Sequence, residues 1–322
     1  MHIAEEYVIL LWTIHPEAFM TEMTDFQRKI SALLPGTELR FQEPMAKHTS
    51  FRIGGPVEVM AFPKTREELS LILKTSALLD CRTAILGAGT NVLAPDEGMD
   101  GLVICLKDCL DGMEQLDETH IRFMAGVTMS RAAVFAANAG LSGLEFAHGI
   151  PGCVGGGVYM NAGAYGGEIS GVCESVEIMD RNGNLRRIPG TEMDFSYRHS
   201  ALEDSGEIVI SAVFALNRED PEVIRAKMKE LIGKRSASQP LDLPSAGSAF
   251  KRPVGGYAAA LIDEAGLKGY RVGGAAISEK HAGFAVNLGD ATAEDVRLLL
   301  KNVSDMVFEK SGIRLEPEVR IW

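Results

Sequence analysis

The stretch Gly149-Ile150-Pro151-Gly152-Cys153-Val154-Gly155-Gly156-Gly157-Val158-Tyr159-Met160-Asn161-Ala162-Gly163-Ala164-Tyr165-Gly166-Gly167 carries eight glycines in nineteen residues. A flexible linker with this much glycine is polar and serine-rich. Here the glycines are interleaved with Ile, Val, Met and two Tyr. Such a mixture marks backbone lying close against something flat or bulky, because no Cβ holds the surfaces apart. Two readings follow. One is a ligand cradle in which the Asn161 amide gives orientation. The other is a glycine-rich crossover buried in the fold.

A second glycine segment, Gly87-Ala88-Gly89-Thr90-Asn91, follows an apolar run from Thr83 that reads as a strand. Uncovered N–H groups in such a turn let a pyrophosphate approach closely. The dinucleotide fingerprint of a Rossmann fold needs a third glycine, which falls here at Val92, and a helix opening at once. Leu93-Ala94-Pro95 follows instead, so a plain strand-to-loop turn is the competing reading. No P-loop, HExxH or GxSxG is present. His199 and His281 are isolated and no cysteines stand at ligand spacing, so no metal site is expected.

The 322 residues suggest about two domains, and 34 of them are glycine. Net charge is −12, unfavourable for general nucleic-acid binding, where phosphate neutralisation supplies most of the affinity. Five cysteines without a CxxC pair point to reduced thiols in a cytoplasm. No apolar run reaches the roughly 18 residues of a membrane span. Val8–Trp12 is too short, and preceded by Glu5 and Glu6 rather than basic residues, to read as a signal. Residues 1–25 read as an extension, with Met20 and Met23 as alternative starts.

Helices and strands alternate without the regular beat of a doubly wound sheet. Thr65-Arg66-Glu67-Glu68 has capping-box spacing before a stripe of Leu69, Ile72, Leu73 and Ala77. Strands are expected at 83–87, 101–106, 121–125 and 207–216, with a small-residue helix from Thr128 to Ala139. Val176–Asp180 and Asn184–Ile188 flank Arg181-Asn182-Gly183, a hairpin signal. Asp220-Pro221 opens a helix bearing Ile224, Met228, Leu231 and Ile232. The Ser, Pro and Gly content of 236–248 then marks an entry into a new unit. That unit has a helix near 257–265, a strand at 284–288, a helix from Thr292 with Val296, Leu299, Leu300, Val303 and Val307 on one face, and a last strand over 313–322.

Six motifs in order carry a resemblance. Thr49-Ser50-Phe51-Arg52-Ile53-Gly54-Gly55-Pro56 precedes the two glycine segments. Phe195-Ser196-Tyr197-Arg198-His199-Ser200, Gly247-Ser248-Ala249-Phe250-Lys251 and Leu315-Glu316-Pro317-Glu318-Val319-Arg320 follow them. From about residue 48 onward the chain resembles the UDP-N-acetylenolpyruvoylglucosamine reductase (UDP-N-acetylmuramate dehydrogenase) family. The resemblance implies an α+β fold: a two-subdomain FAD-binding domain of the vanillyl-alcohol oxidase (PCMH) type, then a smaller α+β C-terminal substrate domain. The expected bounds are 26–235, with subdomains about 26–105 and 106–235, then 236–322. It further implies a cytoplasmic enzyme of bacterial peptidoglycan synthesis in which NADPH reduces FAD and FAD reduces UDP-N-acetylglucosamine-enolpyruvate. A monomer is expected, with neither nucleic acid nor membrane as a partner.

By the same resemblance, Ser248 protonates the carbon next to the one that takes the hydride, Arg198 stabilises the developing enolate and Glu318 completes that pair. A guanidinium fork suits a carboxylate. On residues alone the blander readings are preferred: Ser248 as a turn residue, Arg198 as an exposed loop arginine and Glu318 as a strand-edge carboxylate, with Glu316 its competitor. FAD contacts are expected at Gly87, Ala88, Gly89, Thr90, Asn91, Gly126, Gly149, Ile150, Pro151, Gly152, Gly155, Gly156, Asn161, Ala162 and Gly163. Substrate contacts are expected at Tyr197, Lys251, Arg252 and Lys268. Residues 251–281 hold five basic and three acidic side chains, a local surplus suited to a diphosphate, or else a solvated face. Some relatives carry asparagine where Arg252 stands. No insertion between about 198 and 248 matches a substrate-covering loop with a tyrosine, so the shorter, loop-lacking type is expected. A flavin oxidase on the same fold accounts for the glycine segments but not for Gly247–Lys251 and Leu315–Val319. A non-catalytic nucleotide-binding protein predicts no flavin.

Overall fold

The computed structural model describes residues 23–322; the expected extension falls almost wholly on 1–22, outside them. Among the described residues the first helix, α1 (Asp25–Leu33), opens where Thr24 and Gln27 exchange hydrogen bonds in a capping box. β1 (Glu38–Pro44) pairs antiparallel with β2 (Pro56–Phe62). Thr65 caps α2 (Arg66–Leu78) by accepting from the Glu68 N–H. The return half of the expected box goes elsewhere, because the Glu68 carboxylate takes the Lys64 N–H. Leu69, Ile72 and Leu73 are buried as expected, but on the same stripe the next buried position is Ser76, beside a buried Thr75, with Ala77 exposed. That is the i, i+3, i+4, i+7 series of a 3.6-residue turn. β3 (Thr83–Leu86), β4 (Val92–Leu93) and β5 (Met99–Cys105) follow. The first sheet has order β1-β2-β5-β3.

The second sheet begins with β6 (Met113–Gln115) and β7 (His120–Met124). Thr128 then caps α3 (Met129–Asn138), which buries Ala132, Ala133, Ala136 and Ala137. The two-residue strand β8 (Leu141–Ser142) leads to the glycine-rich stretch. That stretch folds as a short helix, α4 (Val154–Tyr159), and a tiny ladder of β9 (Gly163–Ala164) and β10 (Gly167–Glu168). The expected hairpin forms as β11 (Cys173–Met179) and β12 (Leu185–Pro189), with Val176 opposite Ile188. In its turn the Asp180 carboxylate accepts from the N–H groups of Asn182 and Asn184, and Gly183 supplies a φ of +79°. After α5 (Leu202–Ser205), β13 (Ile208–Ala215) completes an antiparallel sheet of order β12-β11-β13-β7-β6. β14 (Asn217–Arg218) pairs with β8, and α6 (Pro221–Ser238) closes this part, running past the expected boundary at 236.

The C-terminal part holds α7 (Ala258–Glu264) and the sheet β15 (Arg271–Val272), β16 (Ala275–Ile277) and β17 (Ala285–Asn287). It also holds α8 (Ala293–Ser311), whose Val296, Leu299, Leu300, Val303 and Val307 are all buried. Burying each such side chain stabilises by about 1.5–3 kcal/mol. The long last strand expected over 313–322 is not formed. Only β18 (Arg320–Ile321) is a strand, because Pro317 has no N–H to donate and meets Phe250 in a single bridge. β18 lies parallel to β4, the strand that follows the Gly87–Asn91 turn.

Candidate active site

The Gly87–Asn91 turn, between β3 and β4, forms one wall of a cavity of about 490 Å³. It is laid directly on the loop Lys47–Ser50. A Cβ on Gly89 would stand 2.0 Å from the His48 carbonyl oxygen, and Gly89 has φ +62°; its own carbonyl accepts from the Ser50 N–H at 3.0 Å. Gly87 differs: a Cβ there meets nothing within 4 Å, and the residue lines the cavity with Ala88 and Thr90. Ile150, Pro151 and Gly152 form the facing wall, tied to the first by Thr90 Oγ1 donating to the Pro151 carbonyl at 3.2 Å.

Lys47, His48, Thr49, Ser50, Cys105, Lys107, Thr128 and Ser130 complete the lining. The sequence reading placed none of these in the cofactor site. The signal was available for four of them, since Lys47–Ser50 abuts or opens the first of the six motifs. Burial pushes the Cys105 thiol up from its ordinary value, so it is a neutral wall group. Two lysines, several hydroxyls, the exposed backbone of two turns and an apolar Ile150 match a dinucleotide with a pyrophosphate. The cleft at Gly87, open where a Cβ would stand, leaves room for backbone approach. The residues fit FAD.

The other expected cofactor residues divide. Gly155, in α4, allows Ala125 to approach, because an added Cβ would lie 2.9 Å from the Ala125 Cβ. Gly163 similarly accommodates Glu168, and Gly126 the Leu106 and Leu110 carbonyls. Gly149 lies against Arg235 and Ile232 of α6, and the Ala162 N–H is taken by the Gly157 carbonyl. Only Gly156 of this group opens on free space. The buried Asn161 amide is engaged by the chain at both ends, donating to the Ser196 carbonyl at 3.0 Å and accepting from the Ser170 N–H at 2.9 Å. Here it is a brace, not a ligand hand. Most of the nineteen-residue stretch packs as a crossover against the protein's own chain, while Ile150–Gly152 line the cavity.

Asn91 also turns away from the cavity. Its Nδ2 donates to the Glu318 carbonyl at 3.2 Å, and its own carbonyl accepts from the Arg320 N–H at 3.0 Å. It thereby fastens the glycine turn to the segment holding Glu318. Ser50 Oγ does the same for the segment before Ser248, donating to the Ser245 carbonyl at 2.6 Å. Arg198 Nε meets Glu318 Oε1 at 2.6 Å, with side chains only 21% and 11% exposed. Both Nη groups of Arg198 are without a hydrogen-bond acceptor among the described residues. Ser248 is exposed, and the carbonyl of its neighbour Ala249 accepts the Glu318 N–H at 3.0 Å. The three expected catalytic residues therefore come from segments fastened to one another. Glu316 is 70% exposed and paired with Lys251, which leaves Glu318 as the partner of Arg198.

Tyr197 is half exposed, and its hydroxyl accepts from the Arg252 N–H at 3.2 Å. The Arg252 guanidinium lies over the Tyr257 ring, 4.6 Å from its centroid. Lys268 is engaged by Asp263 at 2.7 Å on the surface; no contact ties it to the Arg198–Glu318 pair among the described residues. Of the five basic side chains of 251–281, Lys251 and Lys268 are in ion pairs, while Arg252, Arg271 and Lys280 form none among the described residues.

Comparisons with known proteins agree with this geometry. Residues 239–322 match a model of the UDP-N-acetylenolpyruvoylglucosamine reductase C-terminal domain, and residues 57–189 match an FAD binding domain. A UDP-N-acetylenolpyruvoylglucosamine reductase from Caldanaerobacter subterraneus subsp. tengcongensis is 45% identical over 293 residues, covering 91% of this chain and 96% of that protein. One from Streptococcus pneumoniae is 43% identical, covering 92% and 97%. The crystal structure of UDP-N-acetylenolpyruvylglucosamine reductase from Thermus caldophilus superposes with a TM-score of 0.75 at 37% identity, covering 89% of this chain and 98% of that one.

Proposed function

The chain belongs to the UDP-N-acetylenolpyruvoylglucosamine reductase family, and from that premise we propose that it reduces UDP-N-acetylglucosamine-enolpyruvate to UDP-N-acetylmuramate, with NADPH as the source of electrons. Gly87, Ala88, Thr90 and Ile150–Gly152 would hold FAD, which would supply the hydride chemistry. Everything else is done by side chains. Addition of hydride to the terminal carbon of the enolpyruvyl group leaves negative charge on the neighbouring carbon and its carboxylate. Arg198, with Nε fixed on Glu318 and both Nη groups free, offers a two-pronged donor to that carboxylate. Glu318 orients the fork and holds it in a partly dried setting, where charge stabilisation is strongest. Ser248, exposed and without a hydrogen-bond partner among the described residues, delivers its Oγ proton to the charged carbon. A positioned acid of this kind is worth roughly 10²–10⁴ in rate.

The observation that carries the reading is the Arg198–Glu318 pair. It joins positions 120 residues apart beside Ser248, an arrangement that neither a flavin oxidase nor a nucleotide-binding protein calls for. Tyr197 and Arg252 stand next to this centre and are the proposed substrate contacts, with Lys251 behind them. The five cysteines are free thiols, which fits a place in the cytoplasm, and the family match fits a role in peptidoglycan precursor synthesis; no described helix is long and apolar enough to cross a membrane. The test is NADPH consumption by the purified flavoprotein under nitrogen. Sustained turnover only with UDP-N-acetylglucosamine-enolpyruvate present is expected. Yellow protein that does not turn over with it overturns the proposal while leaving the FAD domain intact.

A further inference from the structure

The catalytic pair depends on two segments that need outside restraint. Arg198 sits in a two-residue turn closed by reciprocal bonds between Ser196 and His199, each 3.2 Å. Its φ of +57° lies in the left-handed region, which a non-glycine residue keeps only when its surroundings over-determine it. Glu318 lies in a segment that forms no regular strand until Arg320.

One carboxylate outside the pair touches both segments. Glu203, in α5, places Oε2 3.1 Å from His199 Nδ1 and Oε1 2.6 Å from Arg320 Nη1. His199 follows Arg198 directly, and Arg320 stands two residues beyond Glu318. Contacts therefore close a ring: Arg198 to Glu318, along the chain to Arg320, across Glu203 to His199, and back. The Arg320 guanidinium beside it, then His199, hold the Glu203 carboxyl down at about 2, so it is charged under all working conditions. The remaining side-chain contact of Arg320 is the Met160 sulfur at 3.7 Å. Released from Glu203, Arg320 becomes a second cation within reach of the Glu318 segment and a competitor of Arg198 for that carboxylate.

We infer that Glu203 is a positioning residue for the proposed reduction: by gripping His199 with one oxygen and Arg320 with the other, it sets how Arg198 and Glu318 meet and keeps Arg320 off Glu318. It bonds none of Arg198, Glu318 and Ser248 itself. The inference rests on the function proposed above.

The test uses the full flavoprotein, with Glu203→Ala and Glu203→Gln made alone and in a Glu318→Gln background. Anaerobic stopped flow follows flavin reduction by NADPH and reoxidation by the enolpyruvyl substrate separately. Thermal melts and calorimetric binding of UDP-N-acetylmuramate run alongside. Reoxidation at saturating substrate is expected to slow about 10-fold in Glu203→Ala and about 3-fold or more in Glu203→Gln, with flavin reduction and product affinity within about twofold. In the Glu318→Gln background, Glu203→Ala is expected to cost less than about twofold further, since its effect runs through that pair. Reoxidation at the wild-type rate overturns the inference. So does equal slowing of both half-reactions, or an undiminished loss in the Glu318→Gln background, either of which marks general loosening. If Glu203→Ala does not fold, the isosteric Glu203→Gln carries the decision. A wild-type protein that fails to turn over the substrate defeats the functional reading first, and this inference with it.

Discussion

Two glycines two residues apart in one turn have opposite duties, and paired alanine substitutions separate them. At Gly89, alanine would have to keep a φ of +62° and a Cβ 2.0 Å from the His48 carbonyl oxygen. The left-handed backbone costs about 1–2 kcal/mol. Relieving the overlap moves backbone by more than an ångström, a strain of about 1–3 kcal/mol on the scale of overpacked cores. Gly89→Ala is therefore expected to destabilise the flavin-free protein by about 2–5 kcal/mol, and to weaken FAD binding because Lys47–Ser50 is displaced from the cradle. At Gly87 the added methyl meets no protein atom within 4 Å. The flavin-free protein is expected to melt as the wild type does, or slightly higher, because alanine restricts the unfolded chain. Its FAD affinity should still fall by about 5–150-fold, the equivalent of about 1–3 kcal/mol for a methyl intruding on a close contact. Flavin is stripped, melting is followed by calorimetry, and FAD is titrated back by the quenching of its fluorescence. Unchanged affinity in Gly87→Ala would refute the placement of FAD against this turn. Unchanged melting in Gly89→Ala would refute the packing of the turn on His48.

Ser248→Ala should leave flavin reduction by NADPH intact and slow reoxidation by the enolpyruvyl substrate by at least ~10²; equal reoxidation in mutant and wild type removes Ser248 from the mechanism. Arg198→Lys replaces a fork with a point charge and should slow the same half-reaction by about 10²–10³, the usual toll for a lost charge-stabilising donor, read in the same stopped-flow traces. Glu203 yields an acid signature. Its carboxyl titrates near 2 in the folded chain against 4.5 as a free group, so its contribution is complete above about pH 4.5 and disappears as pH falls toward 2. The melting difference between wild type and Glu203→Gln should thus be full at about pH 7, shrink below about pH 4.5 and close only near pH 2; a difference that stays at its neutral-pH size down to about pH 2 contradicts the assigned pairing.

What the sequence disclosed and what it hid follow from the range of the interactions. Local periodicity exposed α8, α2 and the β11–β12 hairpin, because caps, stripes and turn residues act within a few positions. Ser76 in place of Ala77 is an error of one position on a helical wheel. The end of the chain misled because Leu315–Trp322 has strand composition, yet a strand exists only where another strand runs beside it. The catalytic residues were named through ordered motifs; their composition alone suggested a turn serine and a loop arginine. Cofactor residues were over-read in one direction. Glycine reports close approach without saying to what, and at Gly126, Gly155 and Gly163 the neighbour is the protein's own backbone or side chains. Asn161 was expected to orient a ligand with its amide and Asn91 to belong to the cofactor turn, yet both side-chain amides donate to carbonyls far away in sequence, something no single-sequence pattern encodes. Lys47, Lys107 and Ser130 were missed because they bear on the cavity from segments without glycine.

The parallel pairing of Arg320–Ile321 with Val92–Leu93 has a consequence for how the molecule is made. A nascent chain leaves the ribosome at about 5–20 residues per second, so roughly 230 residues, or some 10–50 seconds, separate the emergence of the two partners. Throughout that interval the flavin turn lacks the strand that flanks it, and the Asn91 side chain and carbonyl lack their partners. The residues that line the cavity all lie between Lys47 and Gly152, so the cradle is synthesised well before the strand that fastens it. The growing chain meanwhile presents an open sheet edge at β4, the kind of surface on which chaperones and stray strands compete.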